Sequence, residues 1–187
     1  MPNINKILET MRKQGINEEI IKQLPMPIKG ATREEVVIFI EHMDKLLSKE
    51  QCLSIMEEQG CRKNKNTAAE HISFGKEYAN KSIEEKVKLF CELDTKHKGK
   101  CELNSDGTIT IGFQFGGKGN FYCPCGAVRN APKPCNISLT YCGCCAGHMK
   151  YLYQFSLGVK LRLKEIVSSM ANSDGEKPCE FIYEIVD

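Results

Sequence analysis

Six of the 11 cysteines in this 187-residue chain fall between positions 123 and 145: Cys123, Cys125, Cys135, Cys142, Cys144 and Cys145. His148 follows directly. The local runs are C-P-C-G and C-G-C-C-A-G-H, with Pro124, Gly126, Pro134 and Gly143 available to build turns. A metal ion needs sulfur ligands that converge at about 2.3 Å. A close pair of cysteines on a tight turn presents two of them from one piece of backbone. Two such pairs, separated by about 16 residues, follow the logic of a structural zinc site. The metal set read from this spacing is Cys123, Cys125, Cys142 and Cys144, with Cys145 and Cys135 in reserve. Zinc is preferred to an iron–sulfur cluster because the usual ferredoxin runs, cysteines two apart with a trailing proline, are absent. The alternative is a set of buried thiols packed as small hydrophobes. The surrounding Pro, Gly and Asn favour a turn-built site over a packed core.

Four thiolates close a zinc site, whereas a catalytic zinc keeps one position open. Cys145 and His148 are the candidate catalytic pair. They lie three residues apart, and Cys144 and His148 four apart, so thiol and imidazole share one helical face. A thiolate near a helix N-terminus beside an imidazole can act as a nucleophile. The other reading of His148 is a capping or supporting histidine. Cys52 and Cys91 on helices, and Cys101 and Cys179 beside strands, read as core thiols. Cys61 follows Gly60 at a helix end, where a pocket role is open to it. His42, His71 and His97 read as surface residues. No Ser-His-Asp elbow, H-E-x-x-H motif or paired catalytic carboxylates can be named. The run GGKGN at 116–120 lacks the strand and helix context of a phosphate loop and reads as a connection.

The elements that must position these residues follow from local signals. Asn17 precedes EEIIKQL, which Pro25 and Pro27 end. Thr32 with Glu35 forms a capping box ahead of the apolar stripe Val36, Phe39, Ile40, Met43 and Leu47. Ser48 with Gln51, Thr67 with Glu70, and Ser82 with Glu85 start three more helices. The pattern then changes. Asn104–Gly107 is a turn, and Ile109, Ile111, Phe113 and Phe115 alternate with Thr108, Thr110, Gly112 and Gln114. That is a strand with one buried face, paired with the segment around 101–103. A helix over about 144–157 ends at Gly158, a strand runs over 159–167, and a closing strand over 179–186 pairs with it. The predicted fold class is α+β: a helical N-terminal half, residues 1–95, then an antiparallel sheet with a long helix packed on it, residues 96–187, the two forming one compact unit.

Composition supports a globular chain, with 41% hydrophobic and 27% charged residues, and excludes collagen and coiled-coil classes. No apolar run is long enough to span a membrane. The N-terminal stretch lacks an apolar signal core, so a cytoplasmic location is expected. Reduced thiols in that compartment argue against a disulfide scaffold. The net charge of +2 does not suggest a nucleic-acid binder. Between Asp106 and Glu165 there is no carboxylate, while Lys118, Arg129, Lys133, Lys150, Lys160, Arg162 and Lys164 lie in that stretch. One reading is exposed strand residues. The other is a positive field around something anionic, either zinc thiolates or a ligand.

The C-terminal third also carries Cys144-Cys145-Ala146-Gly147-His148, then Leu157-Gly158-Val159, Glu165, and Gly175 through Cys179-Glu180-Phe181. These motifs resemble the 4-vinyl reductase domain family. The layout of the whole chain, with a helical first half and a Gly-Cys near residue 60, resembles the bacterial L-2-amino-thiazoline-4-carboxylic acid hydrolase-like family. The resemblance spans about 70 residues in motifs and the rest in layout. It implies an α+β fold around a small-molecule pocket, often with a metal. Cys142, Cys144, Gly147 and His148 would sit at the pocket or metal end, with Cys179 beside them. The chain departs from the pattern in having Cys145 after Cys144, an extra Cys135, and Ser168-Ser169 where the vinyl reductase type usually has a cysteine.

The function expected is a cytosolic small-molecule-binding, sensor-like domain with a structural zinc–thiolate site. One alternative is a hydrolase of a small cyclic amide or thiazoline-like substrate, using Cys145 and His148 or a metal-bound water. A second is a thiol redox or metal-handling protein. The expected partner is a small molecule, an anionic one included. No nucleic acid and no membrane are expected, and a homodimer is left open.

Overall fold

In the computed structural model, residues 1–27, 30–60, 65–93, 99–117 and 119–186 are described. The chain opens with α1 (Ile4–Lys13), α2 (Glu18–Ile21), α3 (Arg33–Leu46), α4 (Lys49–Glu57), α5 (Lys65–Glu77) and α6 (Ile83–Leu93). Short side chains satisfy the N–H groups that each helix start leaves unpaired. Thr32 with Glu35 and Ser48 with Gln51 make complete capping boxes ahead of α3 and α4. At α6, Ser82 Oγ accepts the Glu85 N–H at 3.3 Å and the Glu85 carboxylate accepts the Ser82 N–H at 2.9 Å. The Thr67 start does not hold, because α5 already begins at Lys65. Helix α1, which the sequence reading did not name, is capped by the Asn3 side chain and buries Ile4, Ile7, Leu8 and Met11.

The second half supplies β1 (Lys100–Leu103), β2 (Ile109–Phe113), a two-residue ribbon of β3 (Gly116–Gly117) and β4 (Asn120–Phe121), α7 (Gly126–Arg129), a 3-10 turn (Leu139–Cys142), α8 (Gly143–Leu157), β5 (Lys160–Ser168) and β6 (Cys179–Val186). The four long strands form an antiparallel sheet in the order β1-β2-β6-β5. The fold is α+β, with α8 packed between β5 and helices α4, α5 and α6. Buried apolar side chains form one continuous cluster running from Ile4 in α1 to Tyr183 in β6.

Three details differ from the sequence reading. Both faces of β2 are covered, because Thr108 and Thr110 are buried along with Ile109 and Ile111. Asn104 Nδ2 donates to both threonine hydroxyls, at 2.9 and 3.0 Å, so their burial leaves no lost hydrogen bond. The stretch expected as a plain connection is in part the β3–β4 ribbon. His71, expected at the surface, is buried: it shares a 2.7 Å hydrogen bond with Ser156 and packs on Phe90 and Tyr153.

Glycine sets how closely α8 is held. A Cβ on Gly147 would lie 1.9 Å from the Glu57 carbonyl oxygen, and one on Gly143 would lie 2.5 Å from Met56. The i, i+4 pair therefore forms a smooth strip on which the end of α4 lies. At the other end, Gly75 of α5 approaches the Phe155 carbonyl so closely that a Cβ would sit 2.0 Å from it. Gly158, at φ 71, supplies the left-handed cap that ends α8. The buried Lys86 ammonium donates to the Leu157 carbonyl at 3.1 Å, a cation placed at the negative end of the helix.

Candidate metal and thiol site

The cysteine-rich segment converges on one end of the sheet. There β2 finishes at Phe113, which pairs with Cys179, the first residue of β6. At the end of β5, Ser168 pairs with Glu180. The chain leaving β4 is tied to the β5–β6 connection, since the Phe121 N–H donates to the Gly175 carbonyl at 2.9 Å. This places Cys123 and Cys125 on the same side as Cys179. Cys125 is the residue that starts α7, and Cys142 the one that starts α8.

The turn before Cys142 is held by partners far away in sequence. Asp44 of α3 accepts hydroxyl hydrogens from Ser138 at 2.5 Å and Thr140 at 2.6 Å. Asn172 donates to the Ile137 carbonyl at 2.8 Å, and its own N–H donates to Ser169 Oγ at 2.9 Å. The Cys142 thiol donates to the same Ser169 oxygen at 3.1 Å. The Cys125 sulfur lies 3.7 Å from the Tyr141 hydroxyl. Of Asp44, Tyr141, Ser169 and Asn172, only Ser169 was named from the sequence. The one signal was Ser168-Ser169, noted as standing where the 4-vinyl reductase type usually carries a cysteine.

Cys123, Cys125, Cys142, Cys144 and Cys179 are all buried. Burial pushes the Cys142 thiol well up from its ordinary value, against a downward pull from Ser169. The fields of Cys179, Cys123 and Cys125 push it further. Cys179 is pushed up to about 12, first by burial and also by Cys123. Tyr141 is raised by burial and then by Cys125, Cys144 and Cys142. Cys123, Cys125, Cys142 and Cys179 thus share one electrostatic neighbourhood, and Cys144 adjoins it through Tyr141. In the metal-free protein the raised values keep the Cys142 and Cys179 thiols protonated at neutral pH.

As the side chains stand, no three His, Cys, Asp or Glu among the described residues converge closely enough to hold a metal ion. The donor set is nonetheless chemically suited to a soft or borderline divalent cation. Zinc would have to take the Cys142 sulfur from Ser169 and the Cys125 sulfur from Tyr141. Cys135, a reserve ligand, is drawn aside: its N–H donates to Asp174 at 3.0 Å and its thiol to the Pro132 carbonyl at 3.7 Å. No disulfide joins the ten described cysteines. Cys61 and His97 lie outside the described residues.

Cys145 and His148 sit half-buried on α8, and the imidazole Nδ1 is screened from solvent. Cys145 lies within electrostatic reach of Tyr183, whose hydroxyl donates to the Ala146 carbonyl at 2.8 Å. The phenol is held protonated by its burial. These are the contacts of a helix docking on a sheet.

The carboxylate-free basic stretch is balanced from elsewhere in the chain. Lys150 lies 3.0 Å from Glu57 and 3.0 Å from Glu58. Arg162 pairs with Glu184, and Lys164 reaches Asp106 at 3.7 Å. Arg129 lies over the Tyr122 ring at 4.5 Å. The positive field expected around an anionic group is therefore divided among separate partners. Lys118 lies outside the described residues. A shallow cleft does open at the sheet end, lined by Lys100, Phe113, Gln114, Pro178 and Cys179. Cys179 thus belongs both to the cleft wall and to the thiol neighbourhood.

No protein-family model and no curated protein matches the chain. Solved structures it resembles include a trafficking protein particle complex subunit 3 from Naegleria fowleri, covalently bound to palmitic acid. That protein is 11% identical, with 98% of this chain and 96% of that chain covered and a TM-score of 0.40. An H-NOX domain from Shewanella oneidensis in the Fe(II)CO ligation state is 12% identical, with 100% and 99% covered and a TM-score of 0.34. An H-NOX protein from the same organism in the Fe(II)NO state is 9% identical, with 97% and 98% covered and a TM-score of 0.35. Among the described residues, no helix is long and apolar enough to cross a membrane.

Proposed function

We propose that the chain is a small-molecule-binding, sensor-like domain whose thiol-rich end is closed by a structural zinc. The observation that carries this reading is the gathering of buried thiols from three separate segments, 123–125, 142–144 and 179, around Cys142. Ordinary packing has no need for four sulfurs in one place, three of them raising the cost of ionising Cys142. A divalent cation removes that cost by taking the thiolates as ligands. The ligand set favoured is Cys123, Cys125, Cys142 and Cys179, with Cys144 the competitor of Cys179 for the fourth position. The ligand would enter the cleft that Cys179 walls. Four thiolates leave zinc no open position, which makes the metal structural.

Metal analysis of the purified chain and of single variants tests this. The wild type is expected to carry about one zinc per chain, because structural sites of this type bind with about 10–16 kcal/mol. Cys142→Ala and Cys179→Ala lose it, while Cys145→Ala and Cys144→Ala keep it. Loss in Cys144→Ala with retention in Cys179→Ala would exchange the fourth ligand. A wild type free of zinc, even after zinc is offered during refolding, would sink the reading.

A further inference from the structure

Two cysteines outside the thiol cluster meet where α6 packs on β1. Cys91 lies in the last turn of α6 and is exposed, whereas Cys101, the second residue of β1, is 5% exposed. The Cys91 thiol donates to the Cys101 carbonyl oxygen at 2.9 Å, which sets its sulfur against the residue that carries the second thiol. Both were expected as independent core thiols, and the exposure of Cys91 corrects that expectation. A disulfide needs the two sulfurs to close to about 2.05 Å, and the Cys91 sulfur already rests against the Cys101 backbone. The asymmetry in exposure matters as much as the contact. An external disulfide can reach Cys91, while Cys101 is screened from it and is reached through Cys91.

We propose that Cys91 and Cys101 are a reversible thiol–disulfide exchange site for a small disulfide of the glutathione type, Cys91 being the entry thiol and Cys101 the resolving one. The Cys91 thiolate attacks one sulfur of glutathione disulfide, whose S–S bond breaks and releases one glutathione thiolate. The product is a mixed disulfide on Cys91. The screened Cys101 thiol then attacks the Cys91 sulfur as its proton passes to the departing second glutathione. Two electrons pass from the cysteine pair to glutathione disulfide, leaving a bond that ties the end of α6 to β1. The pair is separate from the proposed zinc ligands, so the site stands or falls independently of the metal.

The test treats the intact, folded chain with glutathione disulfide, blocks remaining thiols by alkylation and maps tryptic peptides without reduction. Cleavage after Lys88, Lys96 and Lys100 puts Cys91 and Cys101 on different peptides. The expected result is a linked pair carrying both cysteines, with the loss of two alkylatable thiols per chain and full recovery on adding reduced glutathione. Cys101→Ala is expected to stop at the glutathione adduct on Cys91. Cys91→Ser, at an exposed position that leaves the fold intact, is expected to leave Cys101 unmodified. The proposal is overturned if the wild type also stops at the adduct with Cys101 still alkylatable, or if either cysteine is linked to a cysteine of the cluster instead. The wild-type map decides even if the Cys101 variant fails to fold.

Discussion

The two ends of α8 are held by different chemistry. At the C-terminal end, His71, Phe90 and Tyr153 stack, Ser156 bonds to His71, and Lys86 caps the last carbonyl. Each of these groups is satisfied by a neighbour that is already present. At the N-terminal end, neighbouring thiols raise the cost of ionising Cys142, while Asp44, Asn172 and Ser169 hold the entering turn. The C-terminal end is a finished core. The N-terminal end is a built frame around buried thiols, the place of the proposed zinc. Matched perturbations of the two ends separate stability from metal binding.

The largest effect is expected from closing the two helix contacts. Gly147→Ala would place a methyl 1.9 Å from the Glu57 carbonyl, and Gly75→Ala one 2.0 Å from the Phe155 carbonyl. Neither backbone oxygen can turn away, so each variant is expected to lose about 2–3 kcal/mol in denaturant unfolding. Only Gly147→Ala is expected to lower zinc retention as well. Equal loss of zinc in both variants would erase the distinction between the ends.

A smaller effect is expected from removing polar anchors. Asp44→Ala strips the acceptor from Ser138 and Thr140 and should cost about 1–3 kcal/mol. It should also speed zinc transfer to a competing chelator. Ser156→Ala removes one buried partner of His71 and should cost about 1 kcal/mol with no change in that transfer.

The smallest effect is a pH slope. Glu57 accepts the Leu163 N–H at 2.6 Å and pairs with Lys150 at 3.0 Å, yet burial outweighs both and raises its carboxyl above the ordinary 4.5. The native state therefore holds this proton more tightly than the unfolded chain does. Its contribution to stability is complete below about pH 4.5 and is lost as pH rises through the raised value. Glu57→Gln removes that titration, so its stability relative to the wild type should rise between pH 4 and 7 in melting experiments. A difference that falls with pH would reverse the sign.

The legible part of the fold was written in short-range patterns. A capping box spans four residues, so Thr32, Ser48 and Ser82 could be read directly. Gly158 marked the end of α8 because a left-handed cap favours glycine, and the alternation of Val159, Leu161 and Leu163 with Lys160, Arg162 and Lys164 gave β5. The C-x-C turn at Cys123 and the run at Cys142–Cys145 were legible for the same reason. Contacts between distant segments were not. His71 finds Ser156 across 85 positions, and Thr140 finds Asp44 across 96. Cys179 joins Cys142 only because β6 begins where α8 does. Cys91 and Cys101, ten residues apart, meet through the packing of a helix on a strand.

The most direct test of the central claim is zinc-edge X-ray absorption on the protein as purified, without added metal. A zinc shell of about four sulfurs at about 2.3 Å, with no nitrogen or oxygen ligand, is the result expected from a closed thiolate site. A shell containing imidazole or water would place His148 or an open position at the metal. The absence of bound zinc would contradict the account of the N-terminal end of α8.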